Sequence, residues 1–267
     1  MIDDCLQVKL KNRFNPEGSE LRKIQLRMLE MLKYVDNLCK KNNIPYWLSA
    51  GTCLGAVRHG GFIPWDDDLD IEMLGDDYER FKKIIEGSNS KYVLQTREND
   101  NHYNYTYAKL RDNESEITEI HGNDEAYKYK GIFIDIFPMD SNNSKIMSFW
   151  FGRIGLYIYR KVQQHNNNII RYKIYSFIKY LISNICPYLL KIKSHGRLRN
   201  RFPSLFKETV FIKDIFPLKY IPFEDGIFPV ANNTDVYLKA FFSDYKQLPN
   251  INNLHPHITK VKWLKED

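Results

Sequence analysis

Acidic side chains with an alternating spacing are the residues of this sequence best suited to chemistry. They lie in the run Trp65-Asp66-Asp67-Asp68-Leu69-Asp70, which an apolar alternation follows. If Leu69 lies in a strand, Asp68, Asp70 and Glu72 point to one side, about 7 Å from one to the next. Carboxylates that close raise one another's pKa unless a cation lies between them. The pattern predicts a Mg²⁺ or Mn²⁺ site, and a solvated acidic loop is the alternative.

A third carboxylate interrupts an apolar run. Asp135 lies in Ile132-Phe133-Ile134-Asp135-Ile136-Phe137, which is typical of a strand buried on both faces. An unpaired carboxylate there costs roughly several kcal/mol, so a metal, a basic side chain or hydrogen bonds must compensate it. A structural ion pair would be sufficient. A metal ligand on a strand beside Asp68 and Asp70 would explain all three carboxylates together.

A glycine and a small hydroxyl residue precede the acidic run. Gly51 followed by Thr52, between a strand and a helix, lets backbone amides approach a phosphate. Arg58 and His59 are candidates for further phosphate contacts, and the alternatives are a surface cation for Arg58 and a surface turn histidine for His59. Lys109 is either a phosphate ligand or an ordinary edge lysine, and the spacing leaves both open.

The elements that carry these residues follow from the periodicity of the apolar residues. Helices are predicted at 19–42, 52–58 and 76–86, and strands at 46–49, 69–74, 92–97, 105–110 and 131–137. Helices and strands then alternate around a small mixed sheet, which is an α/β (α+β) arrangement. Residues 145–202 are basic and aromatic and are predicted to form two or three helices with a break at 166–168.

Composition limits the class of protein. The chain has 267 residues, a formal net charge of +6 and 43% apolar residues, which fits a folded protein with anionic partners. Four scattered cysteines favour neither a zinc site nor a disulfide scaffold. No secretion signal or spanning segment is evident in the sequence. We therefore expect a cytoplasmic protein without a nucleic-acid partner, whose basic aromatic helices rest on the inner face of the membrane.

Three longer motifs resemble the LicD family of phosphocholine transferases, whose relatives include fukutin and fukutin-related protein. They are Leu48-Ser49-Ala50-Gly51-Thr52-Cys53-Leu54-Gly55-Ala56-Val57-Arg58-His59, Gly61-Phe62-Ile63-Pro64-Trp65-Asp66-Asp67-Asp68-Leu69-Asp70-Ile71 and Gly131-Ile132-Phe133-Ile134-Asp135-Ile136-Phe137-Pro138-Met139-Asp140. The resemblance implies one domain over 1–267, with a nucleotidyltransferase-like core at 20–140 and a helical extension and tail at 141–267. It also implies that Asp68, Asp70 and Asp135 are catalytic metal ligands and that Gly51-Thr52 faces the nucleotide.

The resemblance further implies a reaction. Phosphocholine would move from CDP-choline to a hydroxyl of a cell-surface glycan, of the lipopolysaccharide or teichoic-acid type, and CMP would leave. Trp47, Trp65 or Tyr107 could contact the quaternary ammonium. Another CDP-linked polyol phosphate, such as ribitol or glycerol phosphate, is the nearest competing donor. The sequence is also compatible with a nucleotidyltransferase that releases pyrophosphate, and with a non-enzymatic basic protein that binds membrane or nucleic acid.

Overall fold

The fold is known from a computed structural model. It describes residues 2–103, 105–120, 125–141, 144–164, 169–186, 195–242, 244–251, 254 and 256–265. The helices are α1 Asp4–Phe14, α2 Glu20–Lys41, α3 Ala50–His59, α4 Gly75–Glu86, α5 Lys145–Gln164, α6 Ile169–Tyr180, α7 Ile212–Ile215 and α8 Thr234–Phe241, and a π-helical turn, Leu181–Ile185, follows α6. The strands are β1 Tyr46–Leu48, β2 Asp70–Leu74, β3 Tyr92–Gln95, β4 Ala108–Asp112, β5 Ser115–Glu119, β6 Phe133–Asp140, β7 Arg197–Asn200, β8 Val210–Phe211, β9 Lys219–Phe223, β10 Gly226–Val230 and β11 Ile258–Trp263.

A mixed sheet is the centre of the molecule. Its strands lie in the order β1-β2-β6-β4-β3, and β7 and β8 continue from the end of β6. The central pair, β2 and β6, is parallel, and the remaining pairs are antiparallel. The predicted mixed α/β architecture is therefore confirmed.

One face of this sheet is apolar and packs in the main core. Ile71, Ile134, Ile136 and Leu110 are fully buried in the same cluster as apolar residues of α2. That helix forms because its apolar residues recur at three- and four-residue steps. It begins at Ser19, whose hydroxyl oxygen accepts a hydrogen bond from the Arg22 amide, as an N-cap should. The opposite face of the sheet carries the polar residues.

The second half of the chain departs from the prediction in one respect. Helices α5 and α6 are present, but β7 at Arg197–Asn200 lies within the range predicted as helical. This strand forms because it pairs with the end of β6, a long-range contact that periodicity does not report. The predicted break at 166–168 lies outside the described residues. Within the described part of the chain, no helix combines the length and the apolarity that crossing a membrane requires.

Candidate active site

Three charged side chains form a row across the polar face of the sheet. Asp70 of β2 lies in register with Asp135 of β6, and Asp135 lies in register with Lys109 of β4. Residues in register on neighbouring strands point to the same face. The Lys109 Nζ is 2.9 Å from Asp135 Oδ1 and 3.2 Å from Asp135 Oδ2. Asp135 therefore has the ion-pair partner that its apolar strand requires.

Lys109 is a buried residue of an interior strand. It is only 4% exposed, and β4 lies between β6 and β3. Its ammonium is 3.2 Å from the centroid of the Phe133 ring. The interpretation of Lys109 as an ordinary edge lysine is therefore wrong. Its predicted contact with a phosphate stays a prediction.

The loop before β2 brings two more carboxylates to this row. Asp66 and Asp68 interact through their side chains, and burial and then the charge of Asp68 hold the pKa of Asp66 well above its ordinary value. Helix α2 fixes the loop, because the side-chain amide of Gln25 donates a 2.8 Å hydrogen bond to the Asp66 carbonyl. The sequence reasoning did not select Asp66, although the spacing of two residues between Asp66, Asp68 and Asp70 was visible.

The electrostatics of this acidic cluster (Asp66, Asp68, Asp70 and Asp135) suit a bound cation. Burial raises the pKa of Asp70 well above its ordinary value, and the charges of Asp68 and Asp135 raise it further. Burial also raises the pKa of Asp68 and of Asp135, although the nearby cations oppose that shift. Asp135 Oδ1 has the Lys109 ammonium at 2.9 Å as its ion-pair partner, and no other donor among the described residues hydrogen-bonds it. Carboxylate oxygens gathered in this way are ligands that a hard divalent cation prefers.

The cluster is not a ready-made metal cage. No group of three or more acidic, histidine or cysteine side chains among the described residues is already arranged around one metal position. Lys109 lies against Asp135 instead, and its charge lowers the pKa of Asp68 and Asp70 as well. The residue types therefore fit a divalent cation, and the side chains would have to move to hold one.

The turn between β1 and α3 lies directly beside the cluster. A Cβ atom on Gly51 would be 3.1 Å from Asp66 Oδ2, which is tighter than an ordinary contact. The Thr52 hydroxyl accepts a 2.8 Å hydrogen bond from the Asp70 amide. Thr52 thus fixes the start of the acidic strand, and the proposed approach of a nucleotide phosphate to Gly51-Thr52 stays a prediction.

Glu72 and Tyr237 stabilise the same turn through hydrogen bonds. Glu72 Oε2 accepts hydrogen bonds from Trp47 Nε1 at 2.6 Å and from the Tyr237 hydroxyl at 2.9 Å. The Tyr237 oxygen also accepts a 3.3 Å hydrogen bond from the amide of Ala50, which has a positive φ of 40°. Burial raises the pKa of Glu72 to about 7, although these hydrogen bonds oppose the shift. Tyr237 lies in α8, so the C-terminal third of the chain completes the turn.

Arg58 and His59 lie in a buried network of protein groups. Arg58 Nη1 donates hydrogen bonds to the carbonyls of Tyr245 and Gln247, and Arg58 Nε donates to His59 Nε2. His59 Nδ1 lies 2.7 Å from Gln7 Oε1. Burial and then the Arg58 charge lower the pKa of His59 to about 3, so its ring is neutral. The predicted contact of Arg58 and His59 with a substrate phosphate stays a prediction, because the hydrogen bonds described here all join protein groups.

The three aromatic candidates are placed differently. Trp47 is fully buried, and Trp65 packs edge-on against Phe14 and His59. Tyr107 is half-buried and lies beside the row of charges, where its ring centroid is 4.5 Å from that of Phe137.

Phe206 completes an aromatic wall with these two rings, Tyr107 and Phe137. Its centroid is 5.4 Å from Phe137 and 6.2 Å from Tyr107. The Lys109 ammonium lies 6.0 Å from the Tyr107 centroid, so a cation already lies within reach of this wall.

A histidine from the tail was missed by the sequence reasoning. His257 Nδ1 lies 3.1 Å from Asp67 Oδ1 and 3.5 Å from Asp68 Oδ2. The hydrogen bond to Asp67, followed by the charge of Asp68, raises the pKa of His257 to about 9, so the ring is protonated at neutral pH. The tail's histidines were visible in the sequence, but nothing there indicated that β11 would bring one of them to residues 190 positions away.

The chain is similar to known phosphotransferases. Residues 43–167 match the family model described as LicD/FKTN/FKRP, nucleotidyltransferase domain. The lipopolysaccharide cholinephosphotransferase LicD of Haemophilus influenzae is 28% identical over 273 residues, an alignment that covers 89% of this chain and 95% of that protein.

Human ribitol 5-phosphate transferase FKRP is 42% identical over 68 residues, which is 26% of this chain and 14% of FKRP. Mouse ribitol-5-phosphate transferase FKTN is 40% identical over 53 residues, or 20% of this chain and 12% of FKTN. The family match, the nearly full-length similarity to one phosphotransferase and the local similarity to two more agree. Residues 43–167 carry a domain of the LicD type, and the chain is a phosphotransferase enzyme.

Proposed function

We propose that this enzyme transfers phosphocholine from CDP-choline to a hydroxyl of a cell-surface glycan, of the lipopolysaccharide or teichoic-acid type, and releases CMP. One observation carries the proposal. The charged row of Asp70, Asp135 and Lys109 lies in a chain that aligns with 95% of the length of a lipopolysaccharide cholinephosphotransferase. A phosphoryl transfer needs positioning and charge neutralisation more than covalent chemistry.

The proposed cofactor is Mg²⁺ or Mn²⁺, held by Asp68, Asp70 and Asp135, with Asp66 beside them. A bound divalent cation would neutralise charge on the diphosphate and on the departing CMP. Support comes from the crowding of these buried carboxyls, which raises the pKa of Asp68, Asp70 and Asp135.

The chain's own residues supply the remaining requirements. In the proposed reaction an acceptor hydroxyl attacks the choline-side phosphorus, and the bond from that phosphorus to the CMP oxygen breaks. Lys109 brings a positive charge to this place from the polar face of the sheet. Gly51 leaves room for a phosphate to approach, because a Cβ atom at this position would crowd Asp66. Thr52 holds the Asp70 amide and so keeps the acidic strand beside the turn.

The aromatic wall of Tyr107, Phe137 and Phe206 is the proposed contact for the quaternary ammonium of choline. Aromatic faces attract such cations by about 1–2 kcal/mol. Tyr107→Leu should therefore raise the KM for CDP-choline more than the KM for CDP-glycerol, because glycerol has no positive charge. An equal change for both donors would remove choline from this wall.

The proposed reaction is tested by the release of CMP. We expect Asp70→Asn and Asp135→Asn to abolish CMP release from CDP-choline while circular dichroism shows an intact fold. Asp225→Asn is the matched control, because Asp225 is an exposed acid that pairs only with Lys33 among the contacts of the described residues. Retained activity in either site variant would reject the assignment, and pyrophosphate in place of CMP would indicate a nucleotidyltransferase.

A second candidate donor has specific support. The local identity with two ribitol phosphate transferases favours CDP-ribitol as the competitor of CDP-choline. A panel of CDP-choline, CDP-ribitol and CDP-glycerol with CMP detection distinguishes the three. The family match decides against a non-enzymatic basic protein.

A further inference from the structure

One segment has a larger net positive charge than the whole chain. Residues 145–207 contain 13 lysine and arginine residues and no aspartate or glutamate. The rest of the sequence therefore holds 26 of the 39 basic residues and all 33 acidic residues, so it is net negative. This segment includes α5 and α6. A charge so concentrated indicates an anionic partner at this part of the surface.

Helix α5 presents apolar side chains to the outside. Ile146, Trp150, Ile154 and Tyr157 recur at steps of three or four residues, and all four are exposed, Trp150 by 59%. Residues at such steps lie along one face of a helix. The exposed Arg153 lies between two of them. This outer stripe of α5 is therefore both apolar and basic.

Helix α6 repeats the pattern. Ile170, Ile174 and Phe177 are exposed at the same steps, and Lys173 is exposed among them. Ile158 of α5 packs in a small core with Ile182 of the π-helical turn and Phe202, and Phe151 of α5 and Ile178 of α6 pack against that core. Because the inner side chains already pack in that core, the outer stripes are a separate surface and not an exposed part of the core. Contiguous exposed apolar side chains mark a surface that binds a partner or a membrane.

The chemistry of the stripes favours a lipid surface over a nucleic acid. A helix with Trp, Tyr, Phe and Ile along one side and basic residues beside them lies in the interface of an anionic bilayer. A nucleic acid would be bound by the basic residues and by aromatic stacking, but it would leave the isoleucines exposed to water. None of the described helices is long and apolar enough to cross a bilayer, so the pair would lie on the surface.

The helix pair is connected to the aromatic wall of the site. The Ser204 amide donates a 3.1 Å hydrogen bond to the Ser148 hydroxyl of α5, and the Phe202 ring packs on Phe151 at 5.5 Å. Phe206, two residues after Ser204 in the same loop, is part of the wall beside Tyr107 and Phe137. A lipid surface bound by α5 would therefore lie close to the site.

We propose that α5 and α6 dock this enzyme on an anionic membrane surface through their apolar and basic outer stripes. Docking would hold the site near acceptors that are anchored in the same membrane, a consequence that rests on the proposed function. The docking itself depends only on the two helices.

Sedimentation with lipid vesicles tests the proposal. The wild-type chain should bind phosphatidylcholine vesicles that contain about 30% phosphatidylglycerol, bind pure phosphatidylcholine weakly, and lose binding between about 0.1 M and 0.5 M KCl. The double variant Trp150→Glu/Ile154→Glu should bind at least ~10-fold more weakly, and Arg153→Gln about fivefold more weakly.

Ile227→Glu is the matched control, because Ile227 is an exposed isoleucine, 61% accessible, on β10. It should bind like the wild type. Circular dichroism checks the fold of every variant. Equal binding by the double variant and the control would overturn the proposal, as would a wild type that ignores anionic vesicles. A concentration-dependent dimer or RNA retention without vesicle binding would also overturn it, in favour of a second copy or a nucleic acid.

Release of CMP separates this proposal from the proposed function. The double variant lies outside the site, so its CMP release from CDP-choline without vesicles should equal that of the wild type. Vesicle binding without any CMP release would reject the donor assignment and support docking. Release of CMP without vesicle binding would reject docking alone.

Discussion

Replacement of Lys109 by methionine should destabilise the metal-free protein strongly. The Lys109 ammonium lies 2.9 Å from Asp135 Oδ1, and its charge lowers the pKa of Asp68, Asp70 and Asp135 together. Methionine has a similar volume and fits over the Phe133 ring. Its neutral side chain would leave the buried Asp135 carboxylate without its ion-pair partner, which costs about 3–5 kcal/mol. For a chain of this size that loss lowers Tm by about 10 °C.

The pH dependence of this loss has a definite sign. A carboxyl whose folded pKa is raised above its unfolded value stabilises the fold while protonated, and it loses that contribution as pH rises through the folded pKa. Without Lys109 the pKa values of Asp70 and Asp135 should rise further. The deficit of Lys109→Met should therefore be largest near pH 8 and smaller near pH 5, where the carboxyls take up protons instead.

Urea unfolding in EDTA measures this deficit, and the same titration with excess Mg²⁺ should restore about 2–3 kcal/mol if the cluster binds the ion. Lys91→Met is the control, since Lys91 forms half-exposed ion pairs with Glu30 and Glu114 and should change stability by at most about 1 kcal/mol. A Lys109→Met variant as stable as the wild type in EDTA would refute the reasoning. A deficit that grows as pH falls would refute it too.

Three further substitutions test different parts of the site. Glu72→Gln should match the wild type near pH 4 and exceed its free energy of unfolding by about 3 kcal/mol at pH 8. Burial raises the pKa of Glu72 from 4.5 to about 7, so the wild type loses its stabilising proton between these two pH values. Urea unfolding at both pH values measures this, and a variant less stable than the wild type at pH 8 would contradict it. Gly51→Ala should lower CMP release about 10- to 100-fold with an unchanged circular dichroism spectrum, because the alanine Cβ would lie 3.1 Å from Asp66 Oδ2. A wild-type rate would show that the turn tolerates the contact. His257→Gln should cost about 1 kcal/mol at pH 6, a small value because the ring is 57% exposed. Since the Asp67 hydrogen bond raises the His257 pKa to about 9, the stabilisation is complete below about pH 6.5 and is lost as pH rises through 9, so thermal unfolding of the two proteins should agree at pH 10.

The local elements around the site were predictable because their signals lie within a few residues. The apolar steps of α2 and the alternation of β2 appear in the sequence as the periods of a helix and a strand. The apolar run around Asp135 likewise indicated a strand that needs a partner for one carboxylate. Predicted strand ends differ by a few residues, as for β4, which begins at Ala108 and not at residue 105.

The carboxylates predicted that the strand of Asp135 lies beside that of Asp70, and β6 does pair with β2. The register and the other partners were not predictable, because strand pairing and side-chain contacts join residues far apart in the chain. The parallel register of β2 with β6 sets Asp70 beside Asp135, and the antiparallel register of β4 sets Lys109 on the other side of Asp135. Tyr237 reaches Glu72 from 165 positions away, and His257 reaches Asp67 from 190.

The sequence therefore indicated candidate carboxylates and the kinds of element on which they lie, since alternation along a strand is a local property. Folding established which cations lie against them and which turn they face. Register and long-range packing depend on how all the buried surfaces fit together, and no single segment contains that information.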